Sequence, residues 1–178
     1  KIGILSYKTL KNGRINWNWK QFGTGKTLLM AFHGFNRSPD DFEPFGRWIG
    51  DKYTILAFDL FFHGKSHPEM DTELIPLSLP ELKELIDKIL KIYGTHEFEV
   101  IAYSFGGRLA LNCIEIYGNR VKGIYLIAPD GLRFNPGFYF AVQTQVGRAI
   151  LKRYAHNVAP VLKLMKVGAA LKLYNLKV

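Results

Sequence analysis

Apolar and polar residues alternate along positions 4–20, on either side of the dipeptide Asn12-Gly13. A period of two marks half-buried strands, and Asn-Gly favours the positive φ of a tight hairpin turn, so this stretch predicts two antiparallel strands. From residue 26 the pattern changes. Residues 26–32 (KTLLMAF), 53–58 (YTILAF), 98–103 (FEVIAY) and 121–128 (VKGIYLIA) are short, nearly continuous apolar runs, as expected of strands covered on both faces. Helical signals separate them. Ser38-Pro39-Asp40-Asp41 reads as an N-cap, a first-turn proline and two carboxylates on the dipole's positive end, opening a helix to about Gly50. Ser78 to Glu81 (SLPE) reads as a capping box opening a helix to about Tyr93, with apolar positions 82, 85, 86, 89 and 92 on one face. A third helix is predicted over 105–117.

Strands alternating with helices predict an α/β fold: a mostly parallel sheet with right-handed crossovers, preceded by the antiparallel hairpin. The count reaches six strands at residue 128. After Pro129 the strand signal ends, and residues 137–155 and 158–175 read as two amphipathic basic helices broken at NVAP. Two segments are expected, a core over 1–132 and a basic helical cap over 133–178.

Composition changes this picture in four places. With 48% hydrophobic and 22% charged residues in 178, the chain can bury the core of an ordinary domain, which excludes a disordered polymer. No apolar run approaches the roughly 18 residues of a membrane helix, and the N-terminus lacks the order of a signal peptide, although a start at Lys1 leaves a processed leader open. A single cysteine, Cys113, excludes an internal disulfide; its place in an apolar helical pattern predicts a buried thiol, and a reducing cytoplasm is the mild preference. The net charge of +9 is also uneven. Residues 1–130 carry +1, whereas residues 131–178 carry eight Lys and Arg and no acidic residue.

The candidate chemistry sits at Ala102-Tyr103-Ser104-Phe105-Gly106-Gly107. Strand, serine and helix follow one another at once, with small residues around the serine that let strand and helix approach closely, as a nucleophile elbow requires. This pattern alone fits a helix-capping serine equally well. The decision comes from His33-Gly34-Phe35 after the first parallel strand, where a backbone N–H can face the same spot as the N–H of the residue after the serine. Phe35 and Phe105 amides would then form an oxyanion hole.

Taken in order, HGF (33–35), DLFFHGKS (59–66), AYSFGG (102–107) and IAPDGL (127–132) resemble the α/β-hydrolase superfamily. Ala102 replaces the usual glycine of the elbow, and Phe61-Phe62 replace a usual Pro-Gly. The resemblance implies Ser104 as nucleophile, with His33, Asp59 and His63 as structural supports. It also implies a triad ordered serine, acid, histidine, with the acid after a seventh strand and the histidine after an eighth. Neither strand is found, so the expectation is an N-terminal part of a longer chain, the C-terminal part of the fold lying beyond it.

Residues within the chain could substitute. Asp130 stands where some superfamily members place the acid, but Pro129-Asp130-Gly131 is more readily a turn. His156 is the only histidine after the serine and reads as a surface or cap residue; His67 and His96 lie where no base is expected. Arg108, after the glycine pair, either points to solvent or holds a substrate carboxylate, as an arginine does in the menaquinone-pathway lyase that YSFGGR also resembles. GTGKT (23–27) reads as a turn rather than a phosphate loop, because a strand follows it.

The reading is thus a serine hydrolase acting on a small ester or related acyl or carbon–carbon bond, with no cofactor or metal and no nucleic-acid partner. The substrate is a small molecule, an anionic one being compatible with the basic cap. Two alternatives stand beside it, a lyase of the menaquinone-pathway type and a non-catalytic binding protein on the same scaffold.

Overall fold

The computed structural model describes residues 7–66, 75–130, 132, 139–140 and 144–154. The chain divides into two compact units, residues 1–132 and 133–178. The first holds a six-stranded sheet. β1 (Lys8–Asn12) and β2 (Ile15–Phe22) form the hairpin, turning at Gly13 with φ 57°. β3 (Thr27–Phe32), β4 (Tyr53–Phe58), β5 (Phe98–Tyr103) and β6 (Val121–Ile127) are mutually parallel, and the spatial order is β1-β2-β4-β3-β5-β6. The predicted mixed sheet is therefore observed, with β2 antiparallel to β4 joining hairpin to core.

Three helices cover the sheet. α1 (Glu43–Ile49) packs on one face, where Phe42, Phe45 and Ile49 meet Phe22, Leu29, Ile55 and Ile101. α2 (Leu79–Tyr93) and α3 (Gly106–Tyr117) cover the other face, burying Leu85, Ile89, Ala110 and Cys113 against Met30, Phe58 and Val100. The alternation of strand residues between these two clusters explains why β3–β5 read as continuous apolar runs.

Local signals act where they were read, with one change of geometry. Ser78 accepts the Glu81 N–H and Glu81 accepts the Ser78 N–H, completing the capping box of α2, and Gly94 ends that helix in the left-handed region at φ 63°. Ser38 caps as expected, but residues Pro39–Phe42 form a 3-10 turn before α1 begins. Residues 23–26 are the turn into β3 anticipated for GTGKT. Cys113 is buried and free, its thiol pushed up to about 12 by desolvation, which leaves it unreactive near neutral pH.

The connections matter most for the site. The chain leaves β3 to form β4 on one side, then returns to form β5 on the other, so strand order reverses between β3 and β5. In open α/β sheets ligands bind beyond the carboxyl ends of strands at such a reversal. Phe32 pairs with Ala102 and with Phe58, and Tyr103 pairs with Ile127, so the segments following all four parallel strands emerge along one edge. The four sequence motifs are these segments.

In the second unit α4 (Gln145–Tyr154) is described, preceded by a helical pair of residues at 139–140. The helix predicted over 158–175 lies outside the described residues. Among the described residues no helix is long and apolar enough to cross a membrane.

Candidate active site

Ser104 occupies the left-handed region at φ 47°, a conformation that costs an L-residue with a Cβ about 1–2 kcal/mol. Backbone bonds hold it there. Its N–H donates to Ile127 O at 3.0 Å, and its carbonyl accepts from Gly107 N at 2.9 Å and from Asp130 N at 2.8 Å. The turn is therefore fixed at its two ends, by β6 and by the first turn of α3. The glycines make it possible: a Cβ on Gly106 would stand 2.2 Å from Phe32 O, and one on Gly107 would stand 2.8 Å from Pro129 Cβ. Ser104 is half-buried at the N-terminus of a twelve-residue helix, whose dipole favours negative charge there.

The segment after β3 lies against this turn. A Cβ on Gly34 would meet the Tyr103 ring at 2.9 Å, so glycine is what leaves room for that ring against the loop. Among the described residues neither the Phe35 nor the Phe105 amide donates to an acceptor, whereas the flanking Asn36 amide donates to His63 Nε2 at 3.1 Å. The His63 ring stands edge-on to Phe35 with centroids 5.6 Å apart, and 6.5 Å from Phe105.

Two histidines tie the loops together. His33, fully buried, accepts the Leu60 N–H at Nε2 (3.2 Å), and its Nδ1 lies 2.8 Å from Gly34 O. An amide can only donate and a carbonyl only accept, so the ring is neutral with its proton on Nδ1. Burial depresses its pKa, which keeps it neutral. His63 repeats the arrangement, its Nδ1 3.2 Å from Phe61 O. Both imidazoles have their acceptor nitrogen occupied, so neither stands ready to take a proton from Ser104. Asp59, also buried, accepts the Lys65 N–H at 3.0 Å and sits where a Cβ on Gly64 would intrude at 2.2 Å, tightening the same loop.

Asp130 follows β6 and its carboxylate pairs with Arg108 Nε at 2.9 Å. Two residues weighed separately from sequence, an acid and a substrate contact, are thus each other's partners. The remaining histidine described, His96, precedes β5 at the opposite edge and uses its carbonyl to accept from Arg120. His67 and His156 lie outside the described residues, and no group of acidic, histidine or cysteine residues among the described ones is arranged to hold a metal.

A cavity of ≈ 450 Å³ opens beside the elbow. Leu60, Phe61, Leu77, Phe105 and Leu109 give it apolar walls, and Arg108 and Asn112 add two polar groups. Its volume lies in the range of small-molecule sites.

The sequence profile of the α/β-hydrolase fold matches residues 27–171. The chain belongs to the α/β-hydrolase fold family. Relatives within this family are diverse. The chain is 26% identical over 155 residues to the dihydrolipoyllysine-residue acetyltransferase component of the acetoin cleaving system of Cupriavidus necator, covering 84% of this chain and 37% of that protein. It is 36% identical over 83 residues to the probable lysophospholipase BODYGUARD 4 of Arabidopsis thaliana, covering 44% and 18%. The solved structure of naproxen esterase from Bacillus subtilis superposes with a TM-score of 0.62 at 19% identity, covering 79% of this chain and 50% of that one. The chain thus spans half or less of the length of these relatives, and the structural likeness speaks for the fold alone.

Proposed function

We propose that this α/β-hydrolase chain carries the nucleophile and oxyanion half of a serine hydrolase acting on a small ester or a related acyl or carbon–carbon bond. The observation that carries the reading is Ser104 itself, a non-glycine residue held at positive φ between β5 and α3, directly before an amide that finds no acceptor among the described residues. Ser104 shares this conformation with Asn36, Phe62 and Ala128, which also follow the carboxyl ends of the parallel strands, and strain gathered at one end of a sheet points to function there.

In this mechanism Ser104 Oγ attacks the substrate carbonyl carbon as its proton passes to a base, and the carbonyl π electrons move to oxygen. Phe35 and Phe105 N–H groups receive that oxyanion, and the helix dipole of α3 adds to them. Collapse expels the leaving group with the proton, and water repeats the sequence on the acyl-enzyme. The cavity walled by Phe61, Leu77 and Leu109 receives the apolar part of the substrate. The base is a histidine outside the described residues, since His33 and His63 are committed to amides. Residues 133–178 are assigned to substrate access rather than to bond-making.

A fluorophosphonate probe tests this reading directly. Labelling of the wild-type chain that disappears in Ser104→Ala is expected; labelling that persists would remove Ser104 from the role, and no labelling at all would favour the non-catalytic scaffold. A second reading, lyase chemistry of the menaquinone-pathway type on an anionic substrate, draws on Arg108 at the cavity wall. Loss of turnover in Arg108→Ala confined to acidic substrates would select it.

A further inference from the structure

We infer that the cavity beside the elbow selects an uncharged aromatic group of the substrate, and that Phe62 is the residue that sets this preference. The selection is read from the cavity; the reaction it serves rests on the hydrolase reading above.

The first observation is a conformation. Leu60 to His63 form a turn closed by the His63 N–H, which donates to Leu60 O at 2.7 Å, and Phe62, third in that turn, has φ 64°. Glycine or asparagine takes this position at little cost, whereas a bulky side chain there is an outlier. The surrounding backbone enforces it, the Phe62 N–H donating to Ser66 O at 3.0 Å. Among the described residues four non-glycine positions have positive φ, and Phe62 carries the largest side chain of them. Burial does not offset the strain, since Phe62 is 39% exposed and lines the cavity. Strain that holds a ring at a cavity wall points to a ligand contact.

The second observation is the chemistry of that wall. Phe61 and Phe62, from the loop after β4, stand with ring centroids 4.1 Å apart, and Phe61 is braced by the Trp17 ring at 6.4 Å and by the Arg14 guanidinium at 5.2 Å. Phe105 joins them from the start of α3, so the cavity lies between two sources of aromatic rings. Rings prefer offset or edge-on aromatic neighbours, and each such contact favours an aromatic guest over a saturated one of equal area by about two- to tenfold. Arg108 alone among the lining residues is charged. Asp130 matches that charge at 2.9 Å, and the guanidinium lies over the Phe105 ring at 5.7 Å. A carboxylate guest would compete with Asp130 for the arginine. An uncharged ring leaves the pair intact.

Ligand-observed NMR titration of Ser104→Ala, which removes turnover, measures the preference apart from the reaction. 2-Naphthyl acetate is expected to bind at least about fivefold tighter than its decahydronaphthyl counterpart, and tighter than 2-naphthoate. Phe62→Gly on that background relaxes the turn, so the fold is kept, and should lower the aromatic preference by about two- to tenfold. Phe62→Leu keeps the positive φ and an apolar side chain without the ring, and should lower it alike. Binding of neither ester, equal binding of both, tighter binding of the carboxylate, or a preference that survives both Phe62 substitutions overturns the inference. The aromatic preference in a chain whose Ser104 takes no fluorophosphonate would uphold the selection and remove the hydrolase reading.

Discussion

His33 and His63 stand edge to face with ring centroids 5.3 Å apart, each bracing the other's loop. His33, after β3, accepts an amide from Leu60 after β4; His63, after β4, accepts an amide from Asn36 after β3. The two histidines are crossed struts, and the segment they fix carries the Phe35 amide. In the proposed mechanism the Phe35 amide is an oxyanion donor, and such donors act through preorganisation, so what holds Phe35 in place would bear on the chemistry without touching the substrate.

The strut at His33 has a pH signature. Its pKa is lowered in the fold, chiefly by burial, from an unfolded value near 6.5. Below that value the unfolded chain takes up a proton that the folded ring refuses, so stability is full above about pH 6.5 and falls as pH is lowered toward the folded pKa. Thermal melts of wild type between pH 7.5 and 5 should show this decline. His33→Gln should show a shallower one at a lower Tm, with about 1–3 kcal/mol lost because the buried Leu60 amide loses its acceptor geometry.

Ser104→Gly should stabilise the chain while abolishing probe labelling. Glycine enters the left-handed region without the steric cost that serine bears at φ 47°. A gain of about 1 kcal/mol in denaturant unfolding is expected, and a loss of stability instead would mean that the serine side chain supports the turn.

Gly106→Ala should do the opposite. Its added methyl would stand 2.2 Å from Phe32 O, a backbone atom in the middle of the sheet that cannot swing aside. Stability is expected to fall by at least about 2 kcal/mol, within the range of overpacked cores. Labelling of Ser104 should fall with it, because α3 must move away from β3. A neutral result in urea unfolding would show that helix and strand are less closely docked than described.

The sequence made the strands, both caps and the elbow readable because each rests on residues near one another in the chain. Asn12-Gly13 turns a hairpin, Ser78 and Glu81 cap a helix, and Ala102, Gly106 and Gly107 surround a serine within six positions. The crossed histidines were not readable as a pair. His33 meets Leu60 only because β3 and β4 lie side by side in register, and the resemblance marks each histidine as a support without saying what it holds. The Arg108–Asp130 pair escaped for the same reason, its members being separated by α3 and β6. The 3-10 form of residues 39–42 escaped because Ser-Pro-Asp-Asp announces any helical turn alike.

The cap of α2 reports on acid stability. Glu81 accepts from Arg14 Nε at 2.7 Å and from the Ser78 amide at 2.9 Å, and the Arg14 bond is the main reason its pKa is depressed to about 2. A carboxylate depressed in this way stabilises the fold above its unfolded value near 4.3 and loses that contribution as pH falls toward 2. Ser78→Ala is expected to cost about 1 kcal/mol at pH 7. Glu81→Gln should be the less stable chain at pH 7 and approach wild type near pH 2, as followed by urea unfolding.

Asp130 separates the turn reading from the acid reading in one substitution. Its backbone N–H holds the Ser104 carbonyl at 2.8 Å, and its side chain faces Arg108 rather than a histidine. Asp130→Asn keeps the backbone bond and removes only the charge. If the residue is a turn element, probe labelling of Ser104 should slow less than tenfold, and the exposed ion pair should account for under about 1 kcal/mol of stability. An acid that orients a catalytic histidine behaves differently, since replacing such a carboxylate by its amide lowers the rate by roughly 10⁴ with the geometry intact. A drop of that size would place the acid here, after the sixth strand, and would require a histidine to reach Asp130 past Arg108. We expect the small effect, because a carboxylate already paired to a guanidinium at 2.9 Å is a poor orienting group for an imidazole.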